Sequence, residues 1–151
     1  MVIELLDKFK EKQFKKEWYY TYWAFDLHNT ILKSKYKLGD FKLDFYKNAD
    51  IVLQFLTKRD DVKLILFTSS YPNQIKEYIK QFEKYEIKFD YINENPEISS
   101  DQGHFGYYKD KFYFDLLFDD KAGFNPIIDW ELINIWLKNY PEPNPGWTPK
   151  F

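Results

Sequence analysis

Apolar positions alternate between a helical period and short continuous runs, and the changes of pattern mark out the elements. Near the start, Ile3, Leu5, Leu6, Phe9, Phe14 and Trp18 stand among charges and approximate one helical stripe over residues 1–18. "YYTYWAFDL" then reads as an aromatic-rich strand. "KSKYKLGDFKLD" is polar with a Gly-Asp turn and reads as a hairpin or flap. In "FYKNADIVLQFLTKR", Phe45, Ala49, Val52, Leu53 and Leu56 fall at helical spacing. "VKLILFTSS" is a continuous apolar run that stops at hydroxyls, the pattern of a parallel strand buried on both faces. A helix follows, opened by Pro72, with Ile75, Tyr78, Ile79, Phe82 and Tyr85 on one face.

"IKFDYINE" predicts a short strand, "NPEISSDQGHFGYYKD" a long loop, and "KFYFDLLFDD" a strand ending in two aspartates. "IIDWELINIWLKNY" predicts a last helix with Asp129 as its N-cap. Residues 141–151 hold four of the seven prolines and form an irregular tail whose Trp147 docks on the body or on a partner chain. Strands alternating with helices predict one α/β domain over 1–151: a three-layer, Rossmann-like fold with a mainly parallel sheet.

Composition narrows the chemistry. The chain has 151 residues, 22% of them aromatic, enough for a real core. Its net charge of −2 gives no global pull toward nucleic acid or anionic membrane. The absence of cysteine excludes disulfides, zinc-thiolate sites and thiol nucleophiles. Two histidines, His28 and His104, are too few for a histidine metal cluster, and His104 reads as an exposed loop residue. The charged N-terminus lacks a signal core and no run could span a membrane, so a cytoplasmic protein is expected.

In open parallel sheets, ligands bind at the carboxyl ends of the strands. Three strand ends carry distinctive polar groups: Asp26 with His28 and Thr30, then Thr68, Ser69 and Ser70, then Asp119 and Asp120. Lys109 and Lys111 come shortly before the third strand. A carboxylate attacking a phosphoryl group meets charge repulsion; a divalent cation held by further acids removes it, and lysine and hydroxyls bind the remaining oxygens.

These residues carry a resemblance to the haloacid-dehalogenase-like (HAD) superfamily of phosphohydrolases. Its first motif, Asp-x-Asp-x-Thr after a strand, is matched by Asp26-Leu27-His28-Asn29-Thr30. Its hydroxyl-terminated strand is matched by "LILFTSS", its lysine by Lys111, with Lys109 close behind, and its paired acids by Asp119-Asp120. "FDLHNTI", "YINENPE" and "LLFDDKAGF" further resemble small HAD proteins of tailed phages, and "DLLFDDK" resembles deoxyribonucleotidases of the superfamily.

The resemblance implies a Mg²⁺-dependent phosphomonoester hydrolase in a bacterial or phage-infected cell. Asp26 would be the nucleophile, and Thr68, Ser69 and Lys111 would hold the phosphoryl group. Asp26, the His28 carbonyl, Asp119 and Asp120 would bind the metal. His28 replaces the family's acid/base aspartate, which leaves three readings open: an active enzyme using a histidine as acid/base, a slow one, or a phosphate- or nucleotide-binding or interaction protein without turnover. The gaps between motifs hold no cap domain, so the resemblance implies an open site shaded by residues 33–44 and 93–108. Nucleotides, other small phosphorylated molecules or nucleic-acid ends are the expected substrates, with closure by oligomerisation as an alternative to a cap.

Overall fold

The computed structural model describes residues 1–33, 39–98 and 106–147. The elements follow the expected order: α1 (Val2–Lys16), β1 (Thr21–Asp26), α2 (Ala49–Thr57), β2 (Val62–Phe67), α3 (Pro72–Lys84), β3 (Tyr91–Ile92), β4 (Leu116–Phe118) and α4 (Asp129–Leu137), with one 3₁₀ turn over Asp120–Ala122. The four strands are all parallel, in the order β3-β2-β1-β4. β1 is central, paired along its whole length with β2 from Thr21↔Val62 to Asp26↔Phe67, and with β4 from Trp23↔Leu116 to Phe25↔Phe118.

Handedness explains what covers each face. From β1 to β2 to β3 the chain moves one way across the sheet through α2 and α3. It then returns past β2 and β1 to reach β4. Right-handed crossovers moving in opposite directions must pass over opposite faces. α2 and α3 accordingly lie on one face; α1 and α4 pack there too, so the four described helices share one core with Trp23, Phe25, Leu64, Leu66 and Phe118. The other face, Tyr22, Ala24 and Ile65, is covered by the returning segment through Ile98, Tyr108, Phe112, Tyr113 and Phe114. The third layer therefore contains no helix among the described residues. It is pinned instead by half-buried polar contacts: the Tyr22 and Tyr91 hydroxyls both donate to Glu97, and the Tyr113 hydroxyl donates to Asp115 at 2.7 Å.

Several boundaries differ from the sequence pattern. In α1 the buried stripe is Val2, Leu6, Phe9 and Gln13, while Leu5 is 44% exposed. Gln13 is satisfied in the interior: its amide donates to the Trp18 carbonyl and its oxygen accepts from the Tyr140 hydroxyl. Phe45 precedes α2, which starts after Asn48 in a left-handed conformation (φ 73°). Asp129 is the first residue inside α4, not its N-cap; its carboxylate instead accepts from the Asn125 N–H at 2.8 Å, closing the preceding turn. Pro72 does open α3. Trp147 docks on the body, edge-on to Phe14 at 5.0 Å.

At the base of the flap, Lys33 N–H donates to the Asp44 carbonyl and Tyr46 N–H to that of Ile31. Residues 34–38 of the expected flap lie outside those described. Among the described residues, no helix is long and apolar enough to cross a membrane.

Candidate active site

β1 is anchored just below its carboxyl end. Phe25 is fully buried, stacked on Phe118 at 4.7 Å and on Trp130 at 5.7 Å, and Leu27 is fully buried beyond it. Asp26 lies between these two anchors, in a strand whose side chains alternate, so it leaves the helical core and reaches the rim. Asp119 follows β4, one residue past the Phe25↔Phe118 pair, and so emerges beside Asp26. This is where the chain's path across the sheet reverses, the usual ligand position in such folds.

Asp26, Asp119 and Asp120 each offer a carboxylate oxygen within 4.8 Å of the other two. None is ion-paired to a described lysine or arginine. Asp26 is consequently pushed up to about 6, first by burial and then by the charge of Asp119, with Asp120 adding to the shift and Thr30 opposing it.

Thr30 organises this group. Its fully buried side chain donates to Asp26 Oδ2 at 3.0 Å and accepts from the Asp120 N–H at 3.0 Å. Its carbonyl accepts the Trp130 indole N–H at 2.8 Å. Asp119 caps the following turn by accepting from the Lys121 N–H at 2.9 Å.

The three aspartates open into a cavity of about 1020 Å³, also lined by His28, Thr68 and Ser69. Tyr78, Phe41, Phe67 and Phe112 supply its aromatic walls. The His28 ring stands edge-on to Tyr78 at 5.5 Å, with Nε2 3.5 Å from Ser70 Oγ. Burial lowers its pKa, so the ring is neutral at pH 7. The Thr68 hydroxyl lies 2.9 Å from that of Ser70.

Six of the seven expected site residues, Asp26, His28, Thr68, Ser69, Asp119 and Asp120, thus line one cavity; the seventh, Lys111, does not. Lys111 and Lys109 are exposed and lie outside the lining, while Asp110 and Phe112 belong to it. The two lysines flank Asp110 in a bend and their side chains stay in solvent. Among the described residues, the lysine that does line the cavity is Lys121, next to the paired acids. Asn93 and Gln74 also line it without having stood out in the sequence. His104 lies outside the described residues.

No protein-family model matches the chain, and no curated protein matches it. A solved structure, described as that of a conserved protein coded by a locus of Bacteroides thetaiotaomicron, is similar with a TM-score of 0.59 and 23% sequence identity. The match covers 81% of this chain and 93% of the other. At that identity the likeness defines a fold class: an α/β protein with a parallel sheet flanked by helices and no large cap.

Proposed function

We propose that this protein is a HAD-type phosphomonoester hydrolase that works through an aspartyl-phosphate on Asp26. The observation that carries the reading is the convergence of Asp26, Asp119 and Asp120 within 4.8 Å at the ends of two adjacent strands, in a cavity that also holds Thr68.

The donor set fits Mg²⁺: three carboxylates supply hard oxygen ligands without a neutralising side chain among the described residues. Asp26, Asp119 and Asp120, with the His28 carbonyl that the family resemblance adds, would hold the ion. Once bound, magnesium would offset the repulsion between the Asp26 carboxylate and the phosphoryl oxygens.

The remaining roles belong to the chain. Asp26 attacks phosphorus, forming the carboxyl O–P bond as the ester O–P bond breaks. Thr68, Ser69 and Lys121 bind phosphoryl oxygens. Neutral His28 suits the second step better than the first: it can take a proton from the water that hydrolyses the aspartyl-phosphate, whereas the leaving oxygen draws its proton from solvent. The volume and aromatic walls leave room for a large leaving group, and base stacking puts nucleotides and nucleic-acid ends first among substrates.

The test is phosphate release from a panel of nucleotides, oligonucleotide ends and sugar phosphates, with Mg²⁺ and with EDTA, beside Asp26→Asn. Mg²⁺-dependent release lost in the variant supports the reading. Mg²⁺ and phosphate binding without release favours a binding protein, the reading that His28 in the acid/base position suggests.

A further inference from the structure

Thr68 is the first residue past the pairing of β2 with β1, yet it is held as firmly as a strand residue. β3 pairs with β2 as Ile65↔Tyr91 and Leu66↔Ile92, and the Asn93 N–H adds a ladder bond to the Leu66 carbonyl at 2.9 Å. Asn93 then turns into the left-handed region (φ 55°), which takes its main chain out of the sheet. Its side chain takes over. The carboxamide oxygen accepts from the Thr68 N–H at 2.8 Å, and the carboxamide nitrogen donates to the Thr68 carbonyl at 2.8 Å. One side chain thereby satisfies both peptide groups of Thr68, as a neighbouring strand would.

From this we infer that Asn93 is a positioning residue for the phosphoryl site: it fixes the Thr68 peptide and so aims the Thr68 hydroxyl and the amides that follow. The Thr68 hydroxyl is meanwhile folded onto its own loop, accepting from the Ser70 N–H at 3.2 Å, so the backbone clamp on Thr68 comes from the β3 side. Asn93 is exposed and Thr68, though buried, lines the same cavity, so with the carboxamide gone water can reach the Thr68 peptide groups, and removing the clamp is expected to cost little stability. A misaimed phosphoryl ligand, by contrast, is expensive in rate, because small displacements of positioning groups lower catalysis steeply.

The inference rests on the phosphatase reading, and the experiment separates the two. Asn93→Gly and Asn93→Ala both delete the clamp, but only alanine is strained at φ 55°. Turnover, inhibition by inorganic phosphate and melting temperature are measured for both and for the wild type. Positioning predicts that kcat/KM falls by about tenfold or more, equally in both variants, that phosphate inhibition weakens in parallel, and that only alanine lowers the melting temperature appreciably. A merely structural role predicts that activity follows melting temperature, with the glycine variant near wild type, and that result overturns the inference. Should both variants fail to fold, Asn93→Asp decides. It keeps the acceptor for the Thr68 N–H and loses the donor, and wild-type turnover and phosphate inhibition in it overturn the inference. A wild-type protein that neither binds phosphate nor releases it removes the phosphatase reading, and the inference with it. An active wild type with an unaffected glycine variant removes the inference alone.

Discussion

The indole N–H of Trp130 donates to the carbonyl of Thr30 at 2.8 Å, joining residues 100 positions apart. Trp130 is fully buried in α4, and Thr30 is the residue that hydrogen-bonds both Asp26 and the Asp120 backbone. The last helix is therefore wired to the acidic group through one main-chain carbonyl.

Trp130→Phe keeps a ring against Phe25 and Phe124 and leaves the buried Thr30 carbonyl without its donor. The expected loss is about 1–3 kcal/mol from the unpaired carbonyl, read by urea denaturation, with a further loss from the smaller ring. If the wiring matters for the site, phosphate release drops too, beyond what the unfolded fraction explains.

The metal-free protein should gain stability when acidified from pH 7 to pH 5, as far as Asp26 is concerned. Its pKa is raised to about 6, so the folded chain keeps a proton that the unfolded chain loses near pH 4. Stability from this group is complete below about pH 4 and lost as pH rises through about 6. Discounted for solvent screening of a half-exposed carboxylate, the effect is about 1–2 kcal/mol. Asp26→Asn should be more stable than wild type at pH 7 in EDTA and lack this pH dependence, while losing turnover.

Magnesium should reverse that instability. At a hundredfold excess over its dissociation constant it should add about 2.7 kcal/mol, seen as a rise in melting temperature. Asp119→Asn and Asp120→Asn should each shrink the rise. A rise of wild-type size in both variants would place magnesium elsewhere.

Lys121→Ala should weaken phosphate binding and lower kcat/KM, whereas Lys111→Ala should leave both near wild type. The distinction rests on which lysine lines the cavity. Equal effects would show that the segment around Lys111 rearranges when substrate binds.

Neutral His28 predicts a steep dependence on leaving group. Aryl phosphates with acidic phenols should react much faster than alkyl phosphates, because little protonation assists departure. His28→Asp should flatten that dependence; a variant as steep as wild type would show that position 28 does not protonate the leaving oxygen.

Much of the fold was legible in sequence because its signals are local. The apolar run of β2 ending at Thr68, the aromatic run of β1 ending at Asp26 and Pro72 at the start of α3 each depend on a few neighbouring residues. What was not legible depends on contacts distant in sequence. Gln13 looks polar but is buried because Tyr140 and Trp18 satisfy it. Asn93 looks like a turn residue and becomes a clamp only when β3 pairs with β2. Lys111 stands just before a strand in sequence, yet the segment around it is irregular, and the direction of its side chain cannot be counted from a strand. The six residues that do share the cavity are legible because Asp26, Thr68 and Asp119 each follow an apolar run directly and His28, Ser69 and Asp120 come within two residues of them.

The long return from β3 to β4 also bears on the order of assembly. β1 and β2 are joined by a short local crossover, but β4 arrives about 90 residues after β1, the separation of Thr30 and Asp120. Long-range pairing is slow because loop closure precedes any reward. That separation predicts that the mutually repelling acids stay apart while β1, β2 and α3 pack. They meet only when the last strand docks, so a chain truncated before Leu116 would lack the charge conflict and the chemistry alike.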